Sequence, residues 1–330
     1  MSHEERKHDT RAARAAAAVP LPRSPSPAPT ALPLFSLADV TACRSAPRRL
    51  QLLLRAHQLL LSPGAPCPKC EGTLHEYADA AYLDGRRFCC TGCFTSRSIR
   101  SGSVFEHSQH TLFDLAQLIT FFDARILVHQ AEQLTGISRK RVGEFYTRIR
   151  ERCSRYLEEH PISFPADEIV EIDELYVKAL REPATDEEKA SWPPIIGMVG
   201  RHTGYVALEI TPTHATADIS APILAHLPHG ATVVFTDEAP SFNFLRRHSD
   251  HKQAWYAKRG GAKWLEPHRE HNAHGELVTV HTNTIEGYWS QFRTWLHASH
   301  GWSADYLPLF LSECMFRSLR IPLSVALRAS

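Results

Sequence analysis

The chain has 330 residues, of which 43% are hydrophobic and 22% are charged, and its net charge at pH 7 is +1. This length is enough for two or three domains with a buried core. The sequence contains no run of about 18 apolar residues and no secretory leader pattern, which argues against a membrane span and against export. We therefore expect an intracellular protein, nuclear if the source is eukaryotic and in the cytoplasm or nucleoid if it is bacterial.

The first 33 residues differ in composition from the rest of the chain. They are rich in Ala, Pro and Ser and show no apolar periodicity, so burial cannot compensate the entropy of ordering them. We predict a disordered leader at 1–33, followed by a helical segment at 34–62. Beyond the leader, residues 34–160 hold 17 basic and 13 acidic side chains, whereas residues 161–330 hold 15 and 20. The first half can attract a polyanion, and the second half supplies surplus carboxylates.

Two Cys-x-x-Cys pairs, with 19 residues between them, are typical of a tetrahedral zinc site. The predicted ligands are Cys67, Cys70, Cys90 and Cys93. The intervening segment contains the turn signal Asp84–Gly85, which favours a hairpin. We predict a zinc ribbon over 63–105 with structural Zn²⁺. Cys89 lies beside Cys90, and the sequence leaves open which of these two thiols is the ligand.

Helical periodicity runs through the next segment, 106–160. A helix near 126–134 is followed by a Thr-Gly-Ile-Ser turn and a basic helix, which is the outline of a helix-turn-helix DNA-binding module. The alternative is an amphipathic helical hairpin whose basic face is merely solvated. The predicted DNA contacts are Arg139, Lys140, Arg141 and Arg148.

From residue 165 the pattern changes to short apolar strands in the order β-β-β-α-β. The first strand contains Asp173, and the fourth strand ends at Asp237. This order predicts an α/β (α+β) ribonuclease H-like domain over 165–322, in which the first and fourth strands lie side by side. Two carboxylates brought together there repel each other unless protons or cations intervene. We therefore expect a divalent cation, Mg²⁺ or Mn²⁺, between them.

The stretch VTVHTNTIEGYWSQFR admits two interpretations. In the first, Asn283 is a helix N-cap and Glu286 reaches back to complete a capping box. In the second, Glu286 is the third metal ligand and Arg293 lies two turns further along the same face. His281, beside this acid, is the histidine of most interest. In the last apolar helix, predicted at 306–316, Glu313 is a candidate for a buried charged partner.

These motifs together resemble a known family. The two C-x-x-C pairs, the TGIS turn, EIDELYV, VVFTDEAPSF and VHTNTIEGYWSQFR occur in the order found in Merlin-type DDE transposases and their bacterial insertion-sequence relatives with an ISXO-like domain. The resemblance covers about residues 50–320. It implies that Asp173, Asp237 and Glu286 are the metal-binding acids, and that Arg293 occupies the place of a basic residue that is usually Lys.

The chain departs from the family pattern at three places. Asn283 competes with Glu286, because some relatives use Asn as the third ligand. Arg293 replaces the usual Lys, which changes the donor geometry. Phe242 and Glu238 stand where a Tyr and a small residue are more usual.

The resemblance implies a transposase that binds terminal inverted repeats in double-stranded DNA and performs metal-dependent cleavage and strand transfer. It also implies a homodimer or larger assembly, because two transposon ends must be joined. The alternative is a former transposase that is catalytically silent and retained as a zinc-dependent DNA-binding protein. A nuclease that cuts RNA would fit the carboxylates but would leave the helix-turn-helix without a role.

Overall fold

The computed structural model describes residues 34–176, 194–227, 233–259, 262–299 and 306–329. The predicted disordered leader lies outside these ranges. Within them, no helix combines the length and the apolar character needed to cross a membrane.

The first part of the chain contains two short helices and a small sheet. Their bounds are α1 Leu37–Thr41, α2 Pro47–Ala56, β1 Leu74–Ala78, β2 Arg86–Cys90 and β3 Ser96–Ser98. The segment 34–62 is thus helical in two pieces, and Pro47 begins the second, where its missing N–H costs no hydrogen bond. Strands β1 and β2 form the predicted hairpin, with Gly85 at φ 68° in the connection.

Three longer helices follow, α3 Leu112–Asp123, α4 Val128–Thr135 and α5 Arg139–Glu159. Gly136 ends α4 in the left-handed conformation, with φ at 73°, which glycine adopts without steric cost. The backbone N–H of Arg139 donates to the Glu132 carboxylate at 2.9 Å, so an acid on α4 caps the start of α5. The predicted helix, turn and basic helix are therefore present.

The N-terminal elements share one hydrophobic core. Phe88 of the small sheet, Ile119 of α3 and Ile149 of α5 are all fully buried within it. The chain returns to this core at its other end, where α9, Leu323–Ala326, contributes Leu323 and is followed by the buried Leu327.

The second part is built on a five-stranded sheet. Its strands are β4 Ile169–Tyr176, β5 Pro194–Gly200, β6 Val206–Ile210, β7 Val233–Thr236 and β8 Asp250–Gln253. Their order is β6-β5-β4-β7-β8, with β4 parallel to β7 and β7 parallel to β8. The predicted ribonuclease H-like fold is confirmed by this order, which places the first and fourth strands of the domain side by side.

Helices cover both faces of the sheet. They are α6 Thr216–His226, α7 Asn283–Ala298 and α8 Tyr306–Ser318. Strand β4 alternates between the two sides, as a pleated strand must. Ile172 packs in the cluster that contains Ile219 of α6, and Leu175 packs in the cluster that contains Phe292 of α7. Glu171 and Asp173 share the face of Leu175, so both acids look toward α7.

Two hairpins between β8 and α7 were not predicted from the sequence. They comprise β9 Trp255–Arg259 with β10 Ala262–Glu266, and β11 His268–His271 with β12 Leu277–Val280. Their strands are only four or five residues long and lack a sustained alternation of apolar and polar residues, so the period of a strand gives little signal there.

A buried ion cluster joins α5 of the first part to α8 of the second. Glu313 accepts hydrogen bonds from Arg150 Nε at 2.7 Å and from Arg317 Nε at 2.8 Å. The side chains of Glu313 and Arg150 are 10% and 9% exposed. The prediction that Glu313 has a buried charged partner is confirmed, and the contact links residues 163 positions apart in the chain.

We predict that Glu313→Ala lowers the free energy of unfolding by about 3–5 kcal/mol, because it leaves two buried guanidinium groups without their counter-charge. Urea denaturation measures this loss. Glu144→Ala is the matched control, since Glu144 forms an exposed pair with Arg141 on α5 and such pairs contribute little. Similar losses in the two variants would contradict the proposed role of the buried cluster.

Candidate catalytic and metal-binding sites

The first two predicted acids lie level with each other at one end of the central strands. Strands β4 and β7 pair in parallel, with Glu171 opposite Phe235. Continuing this register by two places brings Asp237 opposite Asp173. Asp237 follows the last residue of β7, and its Oδ1 accepts the backbone N–H of Ala239 at 2.9 Å, a local turn that holds the carboxylate at the strand end.

Electrostatics connect Asp173 to both other acids. Burial is the main cause that raises the pKa of Asp173 to about 7, and the negative charges of Asp237 and Glu286 raise it further. A hydrogen bond from Trp289 acts in the opposite direction. At neutral pH the Asp173 carboxyl is therefore near half-protonation when no cation is bound.

Burial also raises the pKa of the other two acids. Burial raises the pKa of Asp237, with a contribution from the adjacent Glu238. Burial and the Glu171 charge raise the pKa of Glu286, against the effect of a hydrogen bond from Thr282. A group of neighbouring carboxyls with raised pKa values is typical of a functional site.

Tyr256 of β9 lies near the same three carboxylates, and no sequence motif pointed to it. Burial is the first cause that raises the pKa of this phenol to about 12, followed by the charges of Asp237, Asp173 and Glu286. One of the unpredicted hairpins therefore contributes a wall of the site.

Helix α7 is attached to β4 through Glu171. Its carboxylate is fully buried and accepts the backbone N–H groups of Thr284 at 2.8 Å and Ile285 at 3.0 Å. The interpretation of Asn283 and Glu286 as a capping box is wrong, because the N-cap residue is Thr282 and it makes no side-chain cap hydrogen bond. The backbone N–H groups at the start of the helix donate instead to Glu171 of β4, which lies more than a hundred positions earlier in the chain.

Arg201 and His281 complete the surroundings of Glu171. Arg201 Nε donates to the Glu171 carboxylate at 2.5 Å, and His281 Nδ1 lies 3.3 Å from it. Hydrogen bonding to His281 and the charge of Arg201 outweigh burial and lower the pKa of Glu171. Glu171 is therefore ionised and saturated by protein donors. Glu171 lies two residues before Asp173, and residues with this spacing share one face of a strand. This spacing is the sequence signal that could have identified Glu171 as part of the site.

The remaining predicted site residues lie around the third acid. Asn283 is exposed, and its backbone N–H donates to His281 Nδ1 at 3.2 Å. Arg293 is exposed on α7. Phe242 is fully buried in the hydrophobic cluster that contains Ile219 of α6.

The donor set at this site fits hard divalent cations. Asp173, Asp237 and Glu286 offer only carboxylate oxygens, the ligands that Mg²⁺ and Mn²⁺ prefer. Among the described residues, the four cysteines are the one group of three or more ligand side chains whose donor atoms all lie within 4.8 Å of one another.

The four predicted thiols converge in the N-terminal part. The Sγ atoms of Cys67 and Cys93 are 3.8 Å apart, and those of Cys70 and Cys90 are 3.4 Å apart. Hydrogen bonds with Thr95 lower the pKa of Cys93 to about 6, whereas, against the effect of the Gly72 backbone N–H, hydrogen bonds with the other three thiols raise the pKa of Cys70 to about 11. Cys89 lies outside this group, so the structure favours Cys90 over its neighbour.

The four predicted DNA-contacting residues lie along α5. Arg139, Lys140 and Arg141 are exposed in its first turn. Arg139 pairs with Glu132, and Arg141 pairs with Glu144. Arg148 is half-buried and donates to the backbone carbonyl of Glu106 at 2.6 Å.

Sequence comparisons find similarity to a transposase domain and to a protein of a transposable element. Residues 165–318 match the family model of the ISXO2-like transposase domain. An uncharacterized protein in transposable element ISH50 of Halobacterium salinarum is 27% identical over 279 residues, which cover 77% of this chain and 85% of that protein.

A solved structure of the HTLV-2 integrase catalytic core domain, in complex with magnesium and in a dimeric form, is also similar. The match covers 51% of this chain and 99% of that chain, with 10% identity and a TM-score of 0.27. The assignment of the fold therefore rests on the strand order described above.

We predict that Asp173→Asn increases the free energy of unfolding when no Mg²⁺ or Mn²⁺ is added. The folded state raises the pKa of this group from its ordinary value of 3.8 to about 7, so ionising it costs stability that grows as pH rises between these values. The gain over the native protein should be greatest above about pH 7 and should shrink toward pH 4. Denaturation titrations across this range measure it, and a gain that does not vary with pH would contradict the assignment.

Proposed function

We propose that the protein binds the terminal inverted repeats of a DNA element and catalyses cleavage and strand transfer there, a proposal supported by the match of residues 165–318 to the ISXO2-like transposase domain model. The observation that carries this proposal is the approach of Asp173, Asp237 and Glu286 at one end of the central strands, where the charges of Asp237 and Glu286 act on Asp173.

The three acids are proposed as the ligands of Mg²⁺ or Mn²⁺. Such cations activate an attacking oxygen and stabilise the leaving oxygen in phosphodiester displacement. The chain holds Asp173 by its strand, Asp237 by the turn to Ala239, and Glu286 by the attachment of α7 to Glu171. Glu286 is favoured over Asn283 as the third ligand because its charge reaches Asp173.

Positive side chains near the site are proposed to bind the DNA backbone. Arg293 is exposed on the helix that carries Glu286, and its guanidinium can form paired hydrogen bonds with a phosphate. Bound phosphate would be positioned against the carboxylate group without direct readout of sequence.

The N-terminal part is proposed to recognise the element ends. The four converging thiols suit structural Zn²⁺, which leaves no open coordination position. Arg139, Lys140 and Arg141 lie at the N-terminal end of the second helix of a helix-turn-helix outline, the end that contacts base edges in such modules. Joining two ends requires two active sites, and we therefore propose a homodimer or a larger assembly.

We predict that Asp173→Ala, Asp237→Ala and Glu286→Ala each reduce Mg²⁺-dependent cleavage of end DNA by more than about a hundredfold, since loss of a metal ligand removes several kcal/mol of transition-state stabilisation. Gel analysis of labelled DNA carrying the element ends measures cleavage and joining. Asn283→Ala should remain active, and so should Glu266→Gln, which changes an exposed acid on β10.

Two results would overturn parts of this assignment. Inactivity of Asn283→Ala together with activity of Glu286→Ala would transfer the third ligand to Asn283. A native protein that binds its end DNA specifically but neither cleaves nor joins it would establish the silent DNA-binding alternative.

We predict about one zinc ion per chain, because four thiolates complete one tetrahedral shell. Elemental analysis of the purified protein measures it. Cys90→Ser should lose the zinc and the specific binding of DNA, because the metal folds this module. Cys89→Ser is the control and should retain both, and equal loss in the two variants would refute the choice of Cys90.

A further inference from the structure

Trp289 forms a contact with Asp173 that neither the sequence nor the comparisons assign. Its indole Nε1–H donates to Oδ2 of Asp173 at 3.1 Å. The Trp289 side chain is only 2% exposed, so water does not compete for this hydrogen bond. The contact joins residues 116 positions apart.

Gly197 makes room for the indole. It is the cross-strand partner of Asp173 on β5. A Cβ atom at this position would lie 2.4 Å from Cζ2 and 2.5 Å from Cη2 of Trp289, well inside van der Waals contact. Glycine weakens the interior of a strand and often marks a close approach by another group. Here the approaching group is the ring that binds Asp173.

The contact also connects two proposed metal ligands. Trp289 lies three residues after Glu286 on α7, and residues with this spacing are neighbours on a helix surface. Glu171 attaches the start of the same helix to β4, two residues before Asp173. Helix α7 is therefore fastened to β4 at two points, one on each side of Glu286.

We infer that Trp289 is a positioning residue, whose indole N–H fixes the orientation of the Asp173 carboxylate for cation binding, and that Gly197 exists to admit it. The inference rests on the proposed cation site. A carboxylate ligand that is held by its own hydrogen-bond donor loses less freedom when it binds a metal, and removal of such donors typically costs 10–100-fold in metal affinity. The hydrophobic contacts of Trp289 with Ile285 and Phe292 would persist in a phenylalanine variant.

The test is Mn²⁺ binding to the full, zinc-loaded chain without DNA, measured by isothermal titration calorimetry. Trp289→Phe should raise the dissociation constant about tenfold. Trp295→Phe is the matched control, because Trp295 lies on the same helix but contacts Arg125, whose Cζ is 3.6 Å from the centroid of the indole ring. The Trp295→Phe variant should bind Mn²⁺ with the dissociation constant of the native protein. Thermal unfolding of each variant separates lost packing from lost affinity.

A second route tests the same contact from the sheet. Gly197→Ala should displace the indole and also raise the dissociation constant. Added to Trp289→Phe, it should raise the constant little further, because the hydrogen bond is already absent. If Trp289→Phe does not fold, replacement of Trp289 with benzothienylalanine keeps the ring shape and removes only the N–H, and the same rise is expected.

Asp173→Asn separates the two possible failures. If this variant binds Mn²⁺ as the native protein does, the proposed cation site is wrong. If it loses binding while Trp289→Phe and the benzothienylalanine variant bind as the native protein does, the role of Trp289 is overturned and the cation site stands.

Discussion

The geometry of the carboxylate site depends on one buried charge. Glu171 lies on β4 and binds the first backbone N–H groups of α7, where a negative charge is favoured by the helix dipole. A buried carboxylate is stable only when it is fully paired, and Arg201 Nε and the Thr284 hydroxyl supply further donors. Because the same strand carries Asp173 and the same helix carries Glu286, this one interaction sets the relative position of two proposed ligands.

The site is assembled at the expense of stability. Burial raises the pKa of all three carboxyls, and the charges of Asp237 and Glu286 raise that of Asp173 further, so ionising them opposes folding while no cation is present. Contacts elsewhere in the fold offset this cost. They include the packing of α7 on the sheet and the ion cluster of Glu313 between α5 and α8. Hydrophobic and charged contacts outside the site thus stabilise the fold that holds the three acids, and they take no part in the proposed catalysis.

The patterns that could be predicted are those set by near neighbours in the chain. The Cys-x-x-Cys pairs brought four thiols together, and Gly136 ended a helix as its preference for positive φ requires. The capping box failed for the opposite reason. Asn283 and Glu286 have suitable local spacing, but the donors of α7 are taken by Glu171, 113 residues before Thr284. The hairpins that bring Tyr256 to the site were also missed, because their strands are too short to show a clear alternation of apolar and polar residues.

The sequence by itself determined the β-β-β-α-β order at the start of the second part and the presence of an acid on β4, after β7 and at the start of α7, because periodicity and turn residues act over a few positions. Only the tertiary structure decided that Asp173 has a pKa of about 7, that Trp289 binds it beside Gly197, and that Glu171 is occupied in holding a helix. These properties depend on burial and on partners more than a hundred residues away, and no local pattern encodes either.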